Sequence, residues 1–345
     1  MVSVGDSIRI AGTSVRSRLL ETSIGVSAID NLIGGLVPLP SIVIIDEINS
    51  RRYAPIIAKC FLSEGVSYRH DLFVASLKNS CEEILSSLPP KLDGQSRTDN
   101  DSKTKEPASG TDDLKIAWRY AAVGSVQSTL DRGRPPSLYD FTKSIKRENL
   151  ESCHISCYPS TSQPSYSFAD LWNSLSKELL SEEHSVDKSA KPKNSVNLLR
   201  AVIYDSSLPL WTDPEHLFKF MSHLRASICD SYSVVMLLIN SSTISECIRE
   251  KLYSFADIAF RLEAIDDSSE DALVMDVGKY VGYFRIVRLP SVNSVATFCP
   301  DSVDLVFEIH KNRFDIKRLH LPPAFDIKDE SSGNFPSCQG FIDSF

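Results

Sequence analysis

Long apolar runs are missing from this sequence, and so are the motifs of two common enzyme classes. The longest aliphatic run, Val234–Ile239, is far too short to cross a bilayer, which needs about 20 apolar residues. The amino-terminal stretch MVSVGDSIRI lacks the apolar core of a signal peptide, so secretion is not predicted. Neither a G-x-S-x-G nucleophile elbow nor an H-E-x-x-H pair of metal ligands occurs. A Ser/His/Asp arrangement that only folding brings together stays open.

The composition is otherwise that of an ordinary globular protein, with 42% apolar and 24% charged residues in a chain of 345. This length favours one elaborated α/β domain or two small ones. The formal net charge of −8 disfavours a protein whose whole surface binds nucleic acid, although a local basic patch would suffice. Eight scattered cysteines without a signal peptide are interpreted as reduced thiols, so we expect a cytoplasmic protein with a nuclear pool.

Two internal stretches and the carboxyl-terminal tail are too polar to build a core. Residues 93–113 and 183–195 have few large apolar side chains and cannot bury enough surface to offset the entropy of ordering. The tail at 326–345 is similar, apart from a few aromatic residues. We therefore predict a single domain over residues 1–325 with disordered insertions at these two stretches, followed by a flexible tail.

Helical and strand patterns alternate between these stretches. The uninterrupted apolar run Ile42–Ile45 is typical of a strand buried on both faces. Helical spacing predicts a helix over Tyr53–Ser63, with Gly65 as its stop signal. Further elements are predicted as a helix at 27–33, strands at 71–76, 198–205 and 233–240, helices after Ser80, Ser167 and Asp213, and strands at 280–290, 304–310 and 313–321. The order predicts an α/β fold: a doubly wound, mostly parallel sheet with antiparallel C-terminal strands.

The loop after the first buried strand stands where a nucleotide-binding protein has its phosphate-binding loop. In SIVIIDEINSRRYA (41–54), the defining positions of the motif G-x-x-x-x-G-K-[ST] are Glu47, Arg52, Tyr53 and Ala54. None is the residue that the motif requires, so the glycine backbone, the lysine ammonium and the hydroxyl for Mg²⁺ are all missing. We interpret the segment as a strand-to-helix loop without a phosphate role, and we expect no cofactor on this chain alone.

Three other features have both a functional and an ordinary interpretation. Asp205 ends a buried strand as a Walker B aspartate would, yet acidic residues at strand ends are common. Cys153-His154-x-x-Cys157 could ligate zinc, but no fourth ligand stands at a sensible spacing, so no metal site is expected. Basic clusters more often form a solvated face than an RNA site. Such clusters occur at residues 51–52, 143–147, 249–251 and 311–320.

Several segments, in order, resemble the family of Elongator complex protein 4, whose members are RecA-like subunits of the tRNA-modifying Elongator complex. TSIGVSAIDNLIGGLVPLP (22–40) resembles the entry motif of that family, and LKIAWRY (114–120) is its most distinctive short signature. YFRIVRLPSVNS (283–294) is similar to a third conserved segment of the family. The chain departs from the pattern at Leu36 and Pro40, where the family usually has glycine, and both departures disfavour a nucleotide role.

The resemblance implies assembly with Elongator subunits five and six into a hetero-hexameric ring of RecA-like domains. It implies that the ring binds tRNA and supports wobble-uridine modification of the carboxymethyl type, while the catalytic Elongator subcomplex carries the chemistry. No catalytic residue is then expected in this chain, and ATP would be bound, if at all, by the assembled ring. For tRNA contact we expect loops after the strands that end at Asp205 and Asn240, with Arg249 and Lys251 as candidates.

Two alternatives to this function stay open at the level of sequence. One is an active RecA/KaiC-type ATPase or recombinase paralogue, against which Tyr53 stands at the lysine position. The other is a structural scaffold without RNA contact, which differs only in whether the assembled ring holds tRNA.

Overall fold

The computed structural model describes most of the chain between residues 10 and 319. The described residues are 10–16, 19–50, 52–92, 137–159, 166–186, 196–204, 206, 211, 213–265, 280–291, 298–300, 302–311 and 313–319. Several predictions fall outside them and stay predictions: the insertion at 93–113, residues 187–195 of the second insertion, the tail at 326–345, the signature at 114–120, and Asp205.

Strands and helices alternate along the described chain, as the patterns predict. The strands are β1 (Thr13–Arg16), β2 (Leu19–Thr22), β3 (Val37–Pro38), β4 (Ser41–Ile48), β5 (Asp71–Ala75), β6 (Ile155–Tyr158), β7 (Leu199–Ile203), β8 (Ser233–Asn240), β9 (Ile258–Ala264), β10 (Gly282–Arg288), β11 (Leu305–His310) and β12 (Arg313–Arg318). The α-helices are α1 (Ser27–Leu32), α2 (Ala54–Tyr68), α3 (Cys81–Ser86), α4 (Arg147–Glu151), α5 (Phe168–Leu179), α6 (Leu217–Ile228) and α7 (Glu246–Phe255). The caps predicted at Ser80 and Ser167 are confirmed, because each hydroxyl oxygen accepts a backbone N–H of the first helical turn.

The main sheet has nine strands in the described residues, ordered β12-β11-β10-β9-β4-β8-β7-β5-β6. The strands from β9 to β6 pair in parallel, and β10, β11 and β12 add to β9 in antiparallel fashion. Strands β5, β7 and β8 are buried along their whole length, and their sequences are mostly apolar, with Asp71 of β5 and Arg200 of β7 as charged exceptions. The predicted fold class is confirmed in the described residues: an α/β fold built on a doubly wound, mostly parallel sheet with antiparallel C-terminal strands.

The core lies on both faces of this sheet, and successive residues of β4 contribute to opposite sides. Val43 and Ile45 belong to the cluster that contains helix α2. Ile42 and Ile44 belong to the cluster that contains α5, α6 and Leu252 of α7. Because side chains alternate along a strand, one apolar run serves both layers and holds the end of β4 firmly between them.

A small second sheet, which the sequence patterns did not predict, is formed by β1, β2 and β3. Its strands pair in antiparallel fashion, with Glu21 opposite Pro38 and Thr22 opposite Val37. Strand β3 has only two residues, and β1 is mostly exposed. Neither strand is long or apolar enough to give a period-two pattern, so only pairing defines them.

Helix α2 continues through Gly65, where the sequence pattern predicts its end, so that prediction is wrong. The helix ends at Tyr68 and is capped by Arg69, whose φ of 58° is in the left-handed region. A Cβ at position 65 would lie 2.7 Å from Leu72 Cδ2 and 2.8 Å from Arg200 Cδ. Close packing against β5 and β7 therefore requires glycine here and outweighs its low helix propensity.

Arg200, on β7, is completely buried beside α2, and its guanidinium group donates four hydrogen bonds. Its Nε donates to His70 Nδ1 at 2.9 Å, and its Nη2 donates to Thr22 Oγ1 at 2.7 Å. Its Nη1 donates to the carbonyl oxygens of Ser23 at 2.9 Å and Phe61 at 3.3 Å. One guanidinium thus joins β7, α2 and the small sheet.

The first residues of the predicted disordered insertion at 183–195 are ordered, which differs from the prediction. His184 is buried, and its Nε2 lies 2.9 Å from Asp71 Oδ2. The carbonyl oxygen of His184 accepts the backbone N–H of Tyr232 at 2.7 Å. A polar composition did not exclude packing here because each buried polar group has a partner. Residues 187–195 lie outside the described part.

Candidate functional site at the end of strand β4

Strand β4 ends at the loop that corresponds to a phosphate-binding loop. Two acidic residues, Asp46 and Glu47, stand next to each other near the end of the strand, and both are buried. Helix α2 begins at Ala54, after a loop in which Asn49 has a φ of 61°. Neighbouring residues of a strand point to opposite faces of the sheet, so the two carboxylates contact different parts of the protein.

The Glu47 carboxylate is bound to the amino end of α2. Its Oε1 accepts the backbone N–H groups of Arg52 at 2.9 Å and Tyr53 at 3.0 Å. Its Oε2 accepts the N–H of Ala54 at 3.1 Å. These are the donors that a phosphate group binds at the start of a helix in a nucleotide site. An internal carboxylate therefore occupies the anion position.

The structure brings the four motif positions together, but three of their backbone N–H groups surround the Glu47 carboxylate and are not free for a phosphate group. Tyr53, at the lysine position, packs its ring edge-on against Phe307 of β11, with centroids 5.3 Å apart. Its side chain thus belongs to the core of the C-terminal strands. Sequence reasoning identified Glu47 as the wrong residue for a phosphate loop and missed that it is the acceptor for the helix.

The electrostatics of this arrangement disfavour an added phosphate. A carboxylate at a helix amino end is stabilised by the helix dipole and by charge-assisted hydrogen bonds. A phosphate would have to displace Glu47 from all three N–H groups, because two anions at about 4 Å repel by roughly 4 kcal/mol at an effective dielectric constant of 20. Only 2% of Glu47 is exposed, so the displaced carboxylate would also have to leave a closed environment.

Asp46 is fully buried and ties β4 to the elements on its other side. Its Oδ1 accepts the backbone N–H of Ser241 at 2.9 Å, and its Oδ2 accepts the hydroxyl of Tyr253 at 2.5 Å and the hydroxyl of Ser241. Arg261 Nε lies 3.3 Å from the same Oδ2. Burial, followed by the hydrogen bond to Asp46, raises the pKa of Tyr253, so its phenol stays protonated and donates.

The second nucleotide-associated position, Asp205, lies outside the described residues, and its role stays a prediction. The residues on either side of it are held in place. The N–H of Tyr204 donates to the carbonyl oxygen of Ala75 at 2.8 Å, and the hydroxyl of Ser206 donates to that of Leu238 at 2.8 Å. Strand β8 lies between β7 and β4, so position 205 follows a strand that does not adjoin the Glu47 loop.

Arg249 and Lys251 lie on helix α7, whereas the prediction places them in a loop. Arg249 Nη2 lies 2.9 Å from Glu246 Oε1, and its Nε lies 3.5 Å from Glu250 Oε1. Lys251 is exposed, with its Nζ 5.7 Å from the centre of the Phe218 ring. Arg249 is therefore already neutralised by its own helix, while the ammonium group of Lys251 is available to a partner.

Two of the other basic clusters are also paired with carboxylates. Lys143 Nζ lies 3.0 Å from Asp140 Oδ2, and Lys317 donates to Glu308 Oε2 at 2.7 Å. Such pairs reduce the positive potential that a nucleic acid would meet.

The residues of the Cys153-His154-x-x-Cys157 motif point to separate partners. His154 Nδ1 lies 3.8 Å from Glu178 Oε2, and the Cys153 thiol lies 3.7 Å from the carbonyl oxygen of Asn149. In the part of the chain that the structure describes, no group of three or more His, Cys, Asp and Glu side chains could hold a metal ion.

Comparison with known proteins identifies the family. The family described as PAXNEB protein matches residues 7–339. Elongator complex protein 4 of Mus musculus is 30% identical over 367 residues, covering 93% of this chain and 82% of that protein. Elongator complex protein 4 of Xenopus laevis is 29% identical over 347 residues, covering 92% and 83%.

A more distant relative, from Schizosaccharomyces pombe, is another Elongator complex protein 4, 26% identical over 324 residues, covering 90% of this chain and 87% of that protein. Among solved structures, the KaiC-like protein PH0186 from Pyrococcus horikoshii OT3 aligns with a TM-score of 0.47 at 12% identity, covering 86% of this chain and 99% of that one. The family match extends over nearly the whole chain. The chain therefore belongs to the PAXNEB protein family, the family of Elongator complex protein 4 that its sequence resembles.

Proposed function

We propose that this chain is a non-catalytic, RecA-like subunit of the Elongator accessory ring. In this proposal it assembles with Elongator subunits five and six into a hetero-hexamer, which works with the catalytic Elongator subcomplex. The ring binds tRNA and supports wobble-uridine modification of the carboxymethyl type. Family membership and the names of the relatives support the complex. The place of action is the cytoplasm, with a nuclear pool.

The observation that carries the non-catalytic part is the Glu47 carboxylate at the start of α2. It accepts the three N–H groups of Arg52, Tyr53 and Ala54, and it is buried while doing so. Nucleotide binding by this chain alone would require those donors for a phosphate. Any ATP that the assembled ring binds must therefore use another subunit or an interface.

A titration of the purified chain with a fluorescent ATP analogue and Mg²⁺ tests this part. We expect no saturable binding below about 100 µM, because the site lacks its lysine and its free donors. The assembled ring, titrated in parallel, is the control for the probe. Saturable binding by the chain alone, lost on Arg52→Ala, would contradict the proposal and favour the active ATPase.

A gel shift with tRNA and the purified ring tests the RNA part. We expect the double variant Arg249→Ala and Lys251→Ala to weaken tRNA binding, with Lys251 carrying most of the effect. The salt slope should fall by roughly one for each phosphate that the protein no longer binds. The matched control replaces Lys143 and Arg147, two exposed basic residues elsewhere, and should leave the slope unchanged. A ring that does not bind tRNA at all would leave only the scaffold function.

The membrane plays no part in this proposal. Across the described ranges, none of the helices combines the length and the apolar character that crossing a bilayer demands.

A further inference from the structure

Two cysteines from distant parts of the chain lie side by side at the edge of the main sheet. Cys81 is the first residue of α3 and is nearly buried, whereas Cys157 lies on β6 and is exposed. Cys157 is the ladder partner of Val74 on β5. The Cys81 thiol lies 3.3 Å from the carbonyl oxygen of Val74 and 3.6 Å from that of Tyr158. The Cys81 sulfur therefore lies against the ladder partner of Cys157 and against the next residue along the chain, which places the two cysteines next to each other.

The other cysteines of the described chain have different surroundings. Cys60 is completely buried in α2, and burial raises the pKa of its thiol, so it stays protonated and unreactive. Cys229 is exposed, and its thiol lies 3.5 Å from the carbonyl oxygen of Arg225. Cys229 therefore offers a matched control: an accessible cysteine whose described contact is a backbone oxygen.

We propose that Cys81 and Cys157 form a reversible disulfide when the protein meets hydrogen peroxide. A disulfide needs two sulfurs that can approach to about 2.05 Å with little backbone movement. The Cys81 sulfur already lies against the backbone beside Cys157, and Cys157 is open to solvent.

The reaction balances in two steps. The Cys81 thiolate attacks one peroxide oxygen, the O–O bond breaks, and the departing hydroxide takes up the thiol proton as water, leaving a sulfenic acid on Cys81. The Cys157 sulfur then attacks the sulfur of that sulfenic acid. The S–O bond breaks, and the hydroxide leaves as water with the Cys157 proton. Two thiols lose two electrons and two protons, and peroxide is reduced to two water molecules.

The environment favours Cys81 as the first nucleophile. The hydrogen bond from Cys157 lowers the pKa of the Cys81 thiol, against the opposing effect of burial. The same hydrogen bond, followed by burial, raises the pKa of Cys157. The thiolate is the reactive form, so Cys81 reacts and Cys157 resolves.

The disulfide would attach the short edge strand β6 covalently to helix α3. Within the described residues β6 is an edge strand of four residues, and it pairs with β5 alone. A disulfide would join it to α3 and close the chain from residue 81 to residue 157. Cross-links over long loops restrict the unfolded chain, so oxidation should raise the temperature of unfolding.

Thiol counting on the full chain tests the proposal. The protein is treated with hydrogen peroxide, denatured, and labelled with a maleimide that shifts its mobility on a gel. We expect two of the eight thiols to be lost, with recovery after dithiothreitol. Peptide mass spectrometry without reduction should show a link between the peptides that contain Cys81 and Cys157. Cys229→Ser should still lose two thiols on oxidation.

The variants decide the outcome. Cys81→Ser and Cys157→Ser each keep a hydroxyl in place of the thiol, and neither should give a cross-linked peptide. Cys81→Ser should keep its remaining thiols free under the same treatment, whereas Cys157→Ser should lose at most the Cys81 thiol, as a sulfenic acid. Circular dichroism checks that both variants fold, and Cys157→Ala replaces Cys157→Ser if it does not. Loss of two thiols on oxidation of Cys81→Ser, or a cross-linked peptide that joins any other pair, would overturn the proposal.

Discussion

Helix α2 has a buried ion at its amino end and another beside its last turns, and the two are held differently. At the amino end, the Glu47 carboxylate accepts three backbone N–H groups of the first turn. Beside the last turns, the Arg200 guanidinium donates to the carbonyl oxygen of Phe61 and packs against Gly65. The carboxylate stands where the helix dipole favours a negative charge. The guanidinium stands beside the helix, so hydrogen bonds and packing hold it.

The two ions also differ in the distance along the chain to their partners. Glu47 contacts residues five to seven positions away, which closes one loop. Arg200 contacts His70, 130 positions away, and Thr22, 178 positions away. Glu47 therefore organises a local turn, whereas Arg200 joins β7, α2 and the small sheet. Loss of Arg200 should disturb the whole domain, and loss of Glu47 should disturb mainly the start of α2.

The largest effect is expected for Arg200→Met. The substitution leaves the acceptors at Thr22, Ser23 and His70 buried without their donor. Each buried acceptor left without a donor costs about 1–3 kcal/mol, so the total loss should exceed the effect at Glu47. Denaturant unfolding followed by circular dichroism measures the change. The control is Arg147→Met, because the Arg147 side chain is 92% exposed and its pair with Glu151 should contribute little. Equal effects of both substitutions would contradict the comparison.

A smaller effect is expected for Glu47→Ala. Three N–H groups at the start of α2 lose their acceptor, which should cost about 2 kcal/mol, as the loss of a strong helix cap does. Glu47→Gln keeps one side-chain oxygen as an acceptor and should lose about half as much. The exposed Glu82 supplies the control substitution, Glu82→Gln. Hydrogen exchange should be faster at the first turn of α2 and unchanged at Phe61; uniform acceleration would show that the Glu47 contact is not local.

The third and most specific effect, at most about 1.4 kcal/mol for each pH unit, concerns pH, because of the two ion clusters only that of Arg200 includes a buried histidine. Burial, followed by the charge of Arg200, lowers the pKa of His70 to about 3. The ring is neutral: Nε2–H donates to the carbonyl oxygen of Ala11 at 2.7 Å, while Nδ1 accepts from Arg200. Above pH ~6.5 neither the folded nor the unfolded state protonates His70, so this residue adds no pH dependence.

Below that pH, His70 binds a proton in the unfolded chain but not in the folded protein. The free energy of unfolding should therefore fall by up to about 1.4 kcal/mol per pH unit as the pH decreases toward 3. His70→Gln should remove this part of the slope between pH 6 and pH 4.5 (roughly one proton), while His223→Gln, at an exposed position, should not. Unfolding curves at several pH values measure both, and parallel slopes for wild type and His70→Gln would contradict this assignment.

The parallel core was predictable, and parts of its surroundings were not. Strand β4 follows from a continuous apolar run, and the strands at 71–76, 198–205 and 233–240 follow from mostly apolar stretches. The caps at Ser80 and Ser167 follow from local spacing. The small sheet of β1, β2 and β3 could not be predicted, because its strands are short and partly exposed. The true end of α2 was missed because the need for Gly65 comes from Arg200, a residue far away in sequence.

One part of the candidate site could likewise be predicted from the sequence, and another part is visible only in the folded structure. The missing lysine and glycines at Glu47, Arg52, Tyr53 and Ala54 are visible in the sequence. Folding alone shows that the Glu47 carboxylate takes the anion position and that the Tyr53 ring packs on Phe307. The helical position of Arg249 places two glutamates beside it, and a linear basic cluster does not reveal that pairing.

The sequence by itself determined the α/β alternation, the family and the loss of a phosphate-loop motif, because these depend on residue type and near-neighbour spacing. The tertiary structure alone decided what replaced the lost ligand, which ion holds α2 beside its last turns, and which thiols meet. Those outcomes depend on pairs such as Arg200 with Thr22 and Cys81 with Tyr158, whose partners are far apart in the chain. Hydrogen bonds act over about 3 Å, and only the folded chain brings such residues within that range.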